Sequence, residues 1–144
     1  MKYGFVVFLL VLGAGEVRGQ QPAVPTPVRR GLELWHADSA DAAVREWAAT
    51  WTGPADAAKP EQIRQVMRQF AVMGGRTRGF EILGVDSVGA HLRRIYALLR
   101  YERVPVFAQF VVYDPSVSAP AWQVLSVRMH TEPQQVLPAS IWPQ

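Results

Sequence analysis

The chain has 144 residues, 49% of them hydrophobic and 19% charged, which is room for one globular domain and too apolar for a disordered one. It contains no cysteine, so disulfide staples and thiolate metal sites are excluded. The formal charge of +3 is spread thinly, with no Lys/Arg run longer than a pair, which excludes a nucleic-acid footprint.

Residues 1–19 read as a secretory signal peptide. Lys2 supplies a short positive start, Tyr3 to Gly15 is uncharged and largely apolar, and Val17-Arg18-Gly19 precedes a cleavage site before Gln20. A membrane anchor needs about 20 apolar residues, and this run stops at Glu16. An uncleaved anchor is the alternative reading. Without a cysteine, lipid attachment is excluded. Cleavage removes Lys2, Glu16 and Arg18 and leaves a net charge of +2. An exported, disulfide-free domain suits a bacterial periplasm.

Residues 20–37 carry Pro22, Pro25 and Pro27 and read as an extended leader, with Leu32, Leu34 and Trp35 tucked against the domain. Asp38-Ser39 then caps a helix running to about Trp51, with Ala40, Ala43, Val44, Trp47, Ala48 and Trp51 on one face. Gly53-Pro54 ends it. Pro60 opens a second helix whose apolar stripe is Ile63, Val66, Met67, Phe70 and Met73, closed by Gly74-Gly75.

Four strands follow without interruption: Phe80–Val88, His91–Arg103, Val106–Asp114 and Trp122–His130. The gaps are too short for parallel crossovers, so the fold class is α+β with one curved antiparallel sheet under the helices. Gly89-Ala90 reads as a two-residue hairpin loop, which pairs Asp86 with Arg93, Gly84 with Ile95, Ile82 with Ala97 and Phe80 with Leu99. Val104-Pro105 reads as the next turn, which pairs Leu99 with Phe110. Alternation then puts Phe80, Ile82, Gly84, Ile95, Ala97, Leu99, Tyr101, Ala108, Phe110, Val112, Leu125, Val127 and Met129 under the helices.

The opposite face holds Leu83, Val85, Arg94, Tyr96, Phe107, Gln109, Tyr113, Trp122 and Val124. It is too aromatic and aliphatic to stay bare. A second copy is one cover, through Arg94, Tyr96, Phe107, Gln109, Tyr113 and Trp122. The tail, residues 131–144, is the other, through Val136, Leu137, Ile141 and Trp142.

The order of helices and sheet over residues 38–130 resembles the nuclear transport factor 2-like superfamily, which includes ketosteroid isomerase and the SnoaL-type cyclases. The segments that carry the likeness are Gly79–Gly84, Leu92–Glu102, Phe107–Tyr113 and Trp122–Arg128. The resemblance implies a cone-shaped cavity between sheet and helices and dimerisation through the outer sheet face. It transfers no catalytic residue, because Ile82, Ala97, Leu99 and Phe110, which should line the depth of the cone, are apolar. The superfamily's common extra helix before the sheet is not evident, which would leave the cavity small or absent.

The most varied chemistry gathers at the first hairpin. Asp86, His91 and Arg93 there would form a polar rim for a small apolar or anionic ligand, with Trp47, Trp51 and Tyr101 as walls. The structural alternative is a hairpin end with one surface ion pair, and a Trp47/Trp51 pair that is simply core. His36, His91 and His130 are scattered, so no metal is expected, and no cofactor is implied. Ser87 lacks a nucleophile-elbow context, and no phosphate loop is present. The sequence therefore reads as an exported, homodimeric, non-catalytic binding module, with no membrane contact after cleavage. One alternative is an isomerase-like enzyme with Asp86 as base and His91 or Tyr101 as donor. A structural partner of another envelope protein is the other.

Overall fold

The computed structural model describes residues 23–119 and 121–143. The expected signal peptide and its cleavage site lie outside the described residues. Three helices precede the sheet: α1 (Thr26–His36), α2 (Ala40–Trp47) and α3 (Lys59–Gly74), with a single 3-10 turn at Pro54–Asp56. The strands β1 (Thr77–Ser87), β2 (Leu92–Tyr101), β3 (Pro105–Tyr113) and β4 (Gln123–His130) pair antiparallel in chain order. The α+β class and the single curled sheet are as the sequence implies.

Within the segment read as an extended leader, Thr26–His36 is instead helical. Pro25 sits at the N-cap of α1 and Pro27 in its first turn, where a proline has no hydrogen bond to break. Val28, Gly31, Leu32 and Trp35 recur at helical spacing and are all buried. They pack with Ala43, Val44 and Trp47 of α2 and with Ile95, Leu99, Val106 and Phe110 of the sheet in one core. The Trp47 and Phe110 rings lie 5.1 Å apart. Met67 and Phe70 bring α3 into this core, whereas Met73, expected on the same stripe, is half exposed.

Two bulges reset the faces. In β1 the pairing slips between Ile82 and Gly84. Phe80 and Ile82 keep the expected partners Leu99 and Ala97, but Gly84 pairs with Tyr96, Val85 with Ile95, Asp86 with Arg94 and Ser87 with Arg93. In β4, Ser126 pairs with Val111 but Val124 with Val112, which leaves Leu125 as the extra residue. Val85, Trp122 and Val124 therefore join the helix-covered core, while Leu125 is exposed. All three hydrophobic residues were expected outside, and Leu125 inside. A period-2 pattern inverts at every inserted residue.

The first hairpin loop is also one residue longer than expected: the Val88 N–H bonds the Leu92 carbonyl across Gly89-Ala90-His91. The second turn falls at Glu102-Arg103, not Val104-Pro105, so Leu99 pairs with Val106 instead of Phe110. That shift of four residues preserves the faces. Its cause is the end of α3. The Arg103 N–H bonds the Gly74 carbonyl, and its guanidinium bonds the carbonyls of Met73 (2.9 Å) and Val72 (3.0 Å). These are helix-terminal acceptors that otherwise lack partners.

The tail covers part of the outer face. Val136 and Leu137, after a 3-10 turn at Pro133–Gln135, pack with Tyr96 and Phe107 and against Leu83, Leu98 and Ile141. Ile141 occupies the space a side chain at Gly84 would need, its Cδ1 lying 2.7 Å from an ideal Cβ there.

Gly31 is fixed by the same kind of contact. A Cβ at this position would lie 1.9 Å from Nε1 of the buried Trp47 indole. Helix propensity alone would favour alanine by up to about 1 kcal/mol. The clash with a rigid buried ring outweighs that gain. Gly31→Ala is expected to lower unfolding free energy by about 2 kcal/mol in a denaturant titration.

Candidate functional site

The residues proposed as one ligand site do not come together. Asp86 faces away from the helices beside Arg94, while Arg93 points to the helix side, so the expected Asp86–Arg93 pair is not made. The Arg93 guanidinium lies 4.3 Å from the Trp122 ring centre and bonds the Ala23 carbonyl at 2.9 Å, tying the start of the described chain to the sheet. Trp47 is fully buried in the core, and the Trp51 indole bonds the Val124 carbonyl. Tyr101 lies at the far end of β2 from Arg93, about 26 Å of strand away at 3.3 Å per residue.

His91 has a structural role. Its carbonyl accepts from the Asp114 N–H, and its Nδ1 lies 3.1 Å from the Asp114 carbonyl oxygen, a bond in which the ring nitrogen donates. Asp114 in turn ties the β3–β4 connection. Its Oδ1 accepts from the Ser116 N–H at 3.0 Å, the Ser116 hydroxyl at 2.7 Å and the Ala121 N–H at 3.0 Å. The Ala121 and Ser116 bonds hold its carboxyl below the ordinary value of 3.8. Sequence pattern had placed Asp114 merely as a strand end.

Of the expected outer-face contacts, Tyr96 and Phe107 are covered by the tail and Trp122 has moved to the other side. Arg94, Gln109 and Tyr113 remain on the outer face, and Tyr113 is exposed.

The side chains of mixed chemistry converge elsewhere, at the end of the sheet where α1 gives way to α2. A cleft of about 160 Å³ is lined by Trp35, Asp38, Met67, Arg68, Thr77 and Tyr101, among others. A second depression of about 220 Å³ adjoins it, sharing Asp38, Ala40 and Arg68 and adding Ser39, Asp41 and Arg64. The floor is set by packing: the Trp35 and Tyr101 rings meet edge to face at 5.2 Å. The Trp35 Nε1–H donates to the Tyr101 hydroxyl at 3.0 Å. With Trp35 donating, the Tyr101 O–H proton is available to an acceptor in the cleft. Burial, foremost, and the Asp38 carboxylate push the Tyr101 hydroxyl above its ordinary value of 10, so it stays protonated at neutral pH.

The rim carries fixed charge. Asp38 adopts φ +60°, a left-handed conformation unusual for a residue with a side chain, and its N–H bonds the Trp35 carbonyl at 3.1 Å. It is not the cap of α2 that the sequence suggested; that position is Ser39, with no side-chain cap bond. Asp38 closes α1 and brings a carboxylate to the mouth of the cleft. Opposite, Arg68 is held by Glu61 at 2.7 Å, and Arg64 bridges Glu61 and Asp41. The hydrogen bond from Arg68 is the main cause of the lowered Glu61 pKa. Trp35, Asp38 and Arg68 were not singled out from sequence as ligand contacts; only Tyr101 was. No group of three or more His, Asp or Glu side chains suited to a metal occurs among the described residues.

Between the helices and the sheet the core is filled. Ile95, Ala97, Leu99, Phe110 and Trp47 are all shielded from solvent. A shallow crevice of about 180 Å³ between Ile63, Val66, Val127 and Met129 is the main trace of an opening at the α3–β4 edge. The chain matches no protein-family model, no curated protein and no solved structure.

Two titrations follow from these contacts. The lowered Asp114 pKa makes the folded state lose stability as pH falls from about 3.8 through the lower folded value. Asp114→Asn should flatten that acid limb in urea titrations taken across this range. The raised Tyr101 pKa has the opposite sign: stability is full below pH 10 and falls as pH rises from there through the folded value. Tyr101→Phe should flatten the alkaline limb and, by leaving the Trp35 N–H without its partner, cost about 1–2 kcal/mol at neutral pH.

Proposed function

We propose that the protein is an exported, non-catalytic binding module of the nuclear transport factor 2-like kind, holding a small polar ligand in the Trp35–Tyr101 cleft. The observation that carries this reading is the Tyr101 hydroxyl, which accepts from Trp35 in a side chain that lines a cleft together with Asp38 and Arg68. Such a site suits a ligand with an acceptor group for Tyr101 and Arg68, a donor for Asp38, and an apolar part against Trp35 and Met67. The presence of three helices before the curled sheet supports the family reading more fully than the two expected from sequence. The isomerase-like alternative fares less well. Its candidate base Asp86 lies on the face away from the helices, far along the sheet from Tyr101.

A homodimer is favoured by one specific observation. Outside the tail's contacts the outer face carries the exposed Tyr113 and the half-buried Leu92 and Val111 on adjacent strands, near the exposed bulge residue Leu125.

Native mass spectrometry of protein purified from its own envelope tests both proposals together. The expected spectrum is a dimer that retains a small molecule. Asp38→Asn keeps a residue tolerant of the left-handed conformation while removing the charge, and it should lose the retained mass with the dimer intact. Tyr113→Arg should give a monomer that keeps the ligand. A wild-type monomer would remove the dimer proposal. A wild-type spectrum with no adduct, or an adduct indifferent to Asp38→Asn, would remove the cleft.

A further inference from the structure

The last turn of α3 presents an apolar surface that the fold has no use for. Ala71, Val72 and Met73 are all exposed, Val72 at 79% and Met73 at 50%. Both large side chains border a broad, open depression shared with Gln65, Arg68 and Gln69. Arginines gather at this same end of the molecule. Arg103 bonds the Val72 and Met73 carbonyls directly. Arg76 follows the helix, and its carbonyl bonds the Glu102 N–H. Arg78 pairs with Glu102 at 2.7 Å, and Arg100 lies against Gly79 on the neighbouring strand. All four arginines are exposed, and among the described residues only Arg78 of the four is in an ion pair, with Glu102.

We propose that this end of the molecule is a peripheral docking surface for an anionic lipid bilayer. Charge complementarity selects the occupant. Clustered guanidinium groups match a sheet of anionic headgroups, and two exposed apolar side chains at the same end of the molecule match the boundary between headgroups and acyl chains. An acidic protein groove would satisfy the arginines but would desolvate Val72 and Met73 only if shaped to them; a fluid interface needs no such shape. No helix among the described residues is long and apolar enough to cross a membrane. The proposal departs from the sequence expectation of no membrane contact, because the four arginines are dispersed along the chain and gather only in the fold.

The absence of native cysteine gives a local readout. Met73→Cys and, at the opposite end of the sheet, Val88→Cys would each carry an environment-sensitive fluorophore in the otherwise unaltered chain. Vesicles of phosphatidylglycerol mixed with phosphatidylcholine should blue-shift the label at 73 and leave the label at 88 unchanged. Phosphatidylcholine alone should shift neither. Replacing Arg76 and Arg100 together by Gln should weaken the vesicle-dependent shift about 30-fold in lipid concentration, with circular dichroism unchanged. The inference is overturned by no shift at 73 with anionic vesicles, by an equal shift at 88, or by a response unaffected by the arginine replacements. It is also overturned by a shift at 73 that appears without lipid as protein concentration rises, which would assign the surface to a second copy, or by saturation with polyglutamate at lower concentration than with vesicles.

Discussion

A lone four-stranded sheet whose two faces both carry apolar side chains must be covered twice. That constraint shapes everything else in this molecule. Three helices cover one face and the C-terminal tail covers part of the other. The helical side is filled by large groups at van der Waals contact, with Trp47 wedged between Gly31 of α1 and Phe110 of β3. A core packed in this way has no room for a substrate-sized void. The Trp35–Tyr101 cleft accordingly lies outside this core, where elements meet at an end of the sheet.

Much of this architecture was legible in the sequence. The strands, their order, the helix-facing residues Phe80, Ile82, Ala97 and Phe110, and the stripe of α3 as far as Phe70 all follow from periodicity and turn residues. What periodicity cannot carry is an insertion. A bulge leaves no compositional mark when the residue involved is Leu83 or Leu125, since leucine suits either face. Beyond each bulge every inference of orientation inverts, and this is why Asp86 and Arg93 part company while Trp122 and Val124 turn inward. The polar cluster proposed at the first hairpin depended on an uninterrupted register, and it dissolved with it.

The first helix was hidden for a different reason. Three prolines in six residues suggest an extended leader, yet two of them, Pro25 and Pro27, stand at the N-cap and first turn, where proline favours a helix start. The spacing of Val28, Leu32 and Trp35 was the readable sign. Missing α1 also meant missing the cleft, because Trp35 and Asp38 acquire their roles only when α1 ends above Tyr101. Asp38 shows how local chemistry misleads. It has the residue type of a helix cap, but its left-handed backbone instead terminates the preceding helix and turns the chain toward α2.

The choice of turn after β2 links the capping of α3 to the candidate site. Had Val104-Pro105 formed the turn, Glu102 and Arg103 would lie within strand pairing, and the carbonyls of Val72, Met73 and Gly74 would lose their donors. Placing the turn at Glu102-Arg103 satisfies those carbonyls through Arg103. It also brings Tyr101 directly beneath Gly74, where an ideal Cβ would lie only 2.7 Å from the tyrosine Cβ. A side chain at position 74 would force the strand and helix apart and move the Tyr101 hydroxyl from Trp35. Helix capping, close backbone approach and the orientation of the Tyr101 hydroxyl are thus tied together in a single two-residue turn.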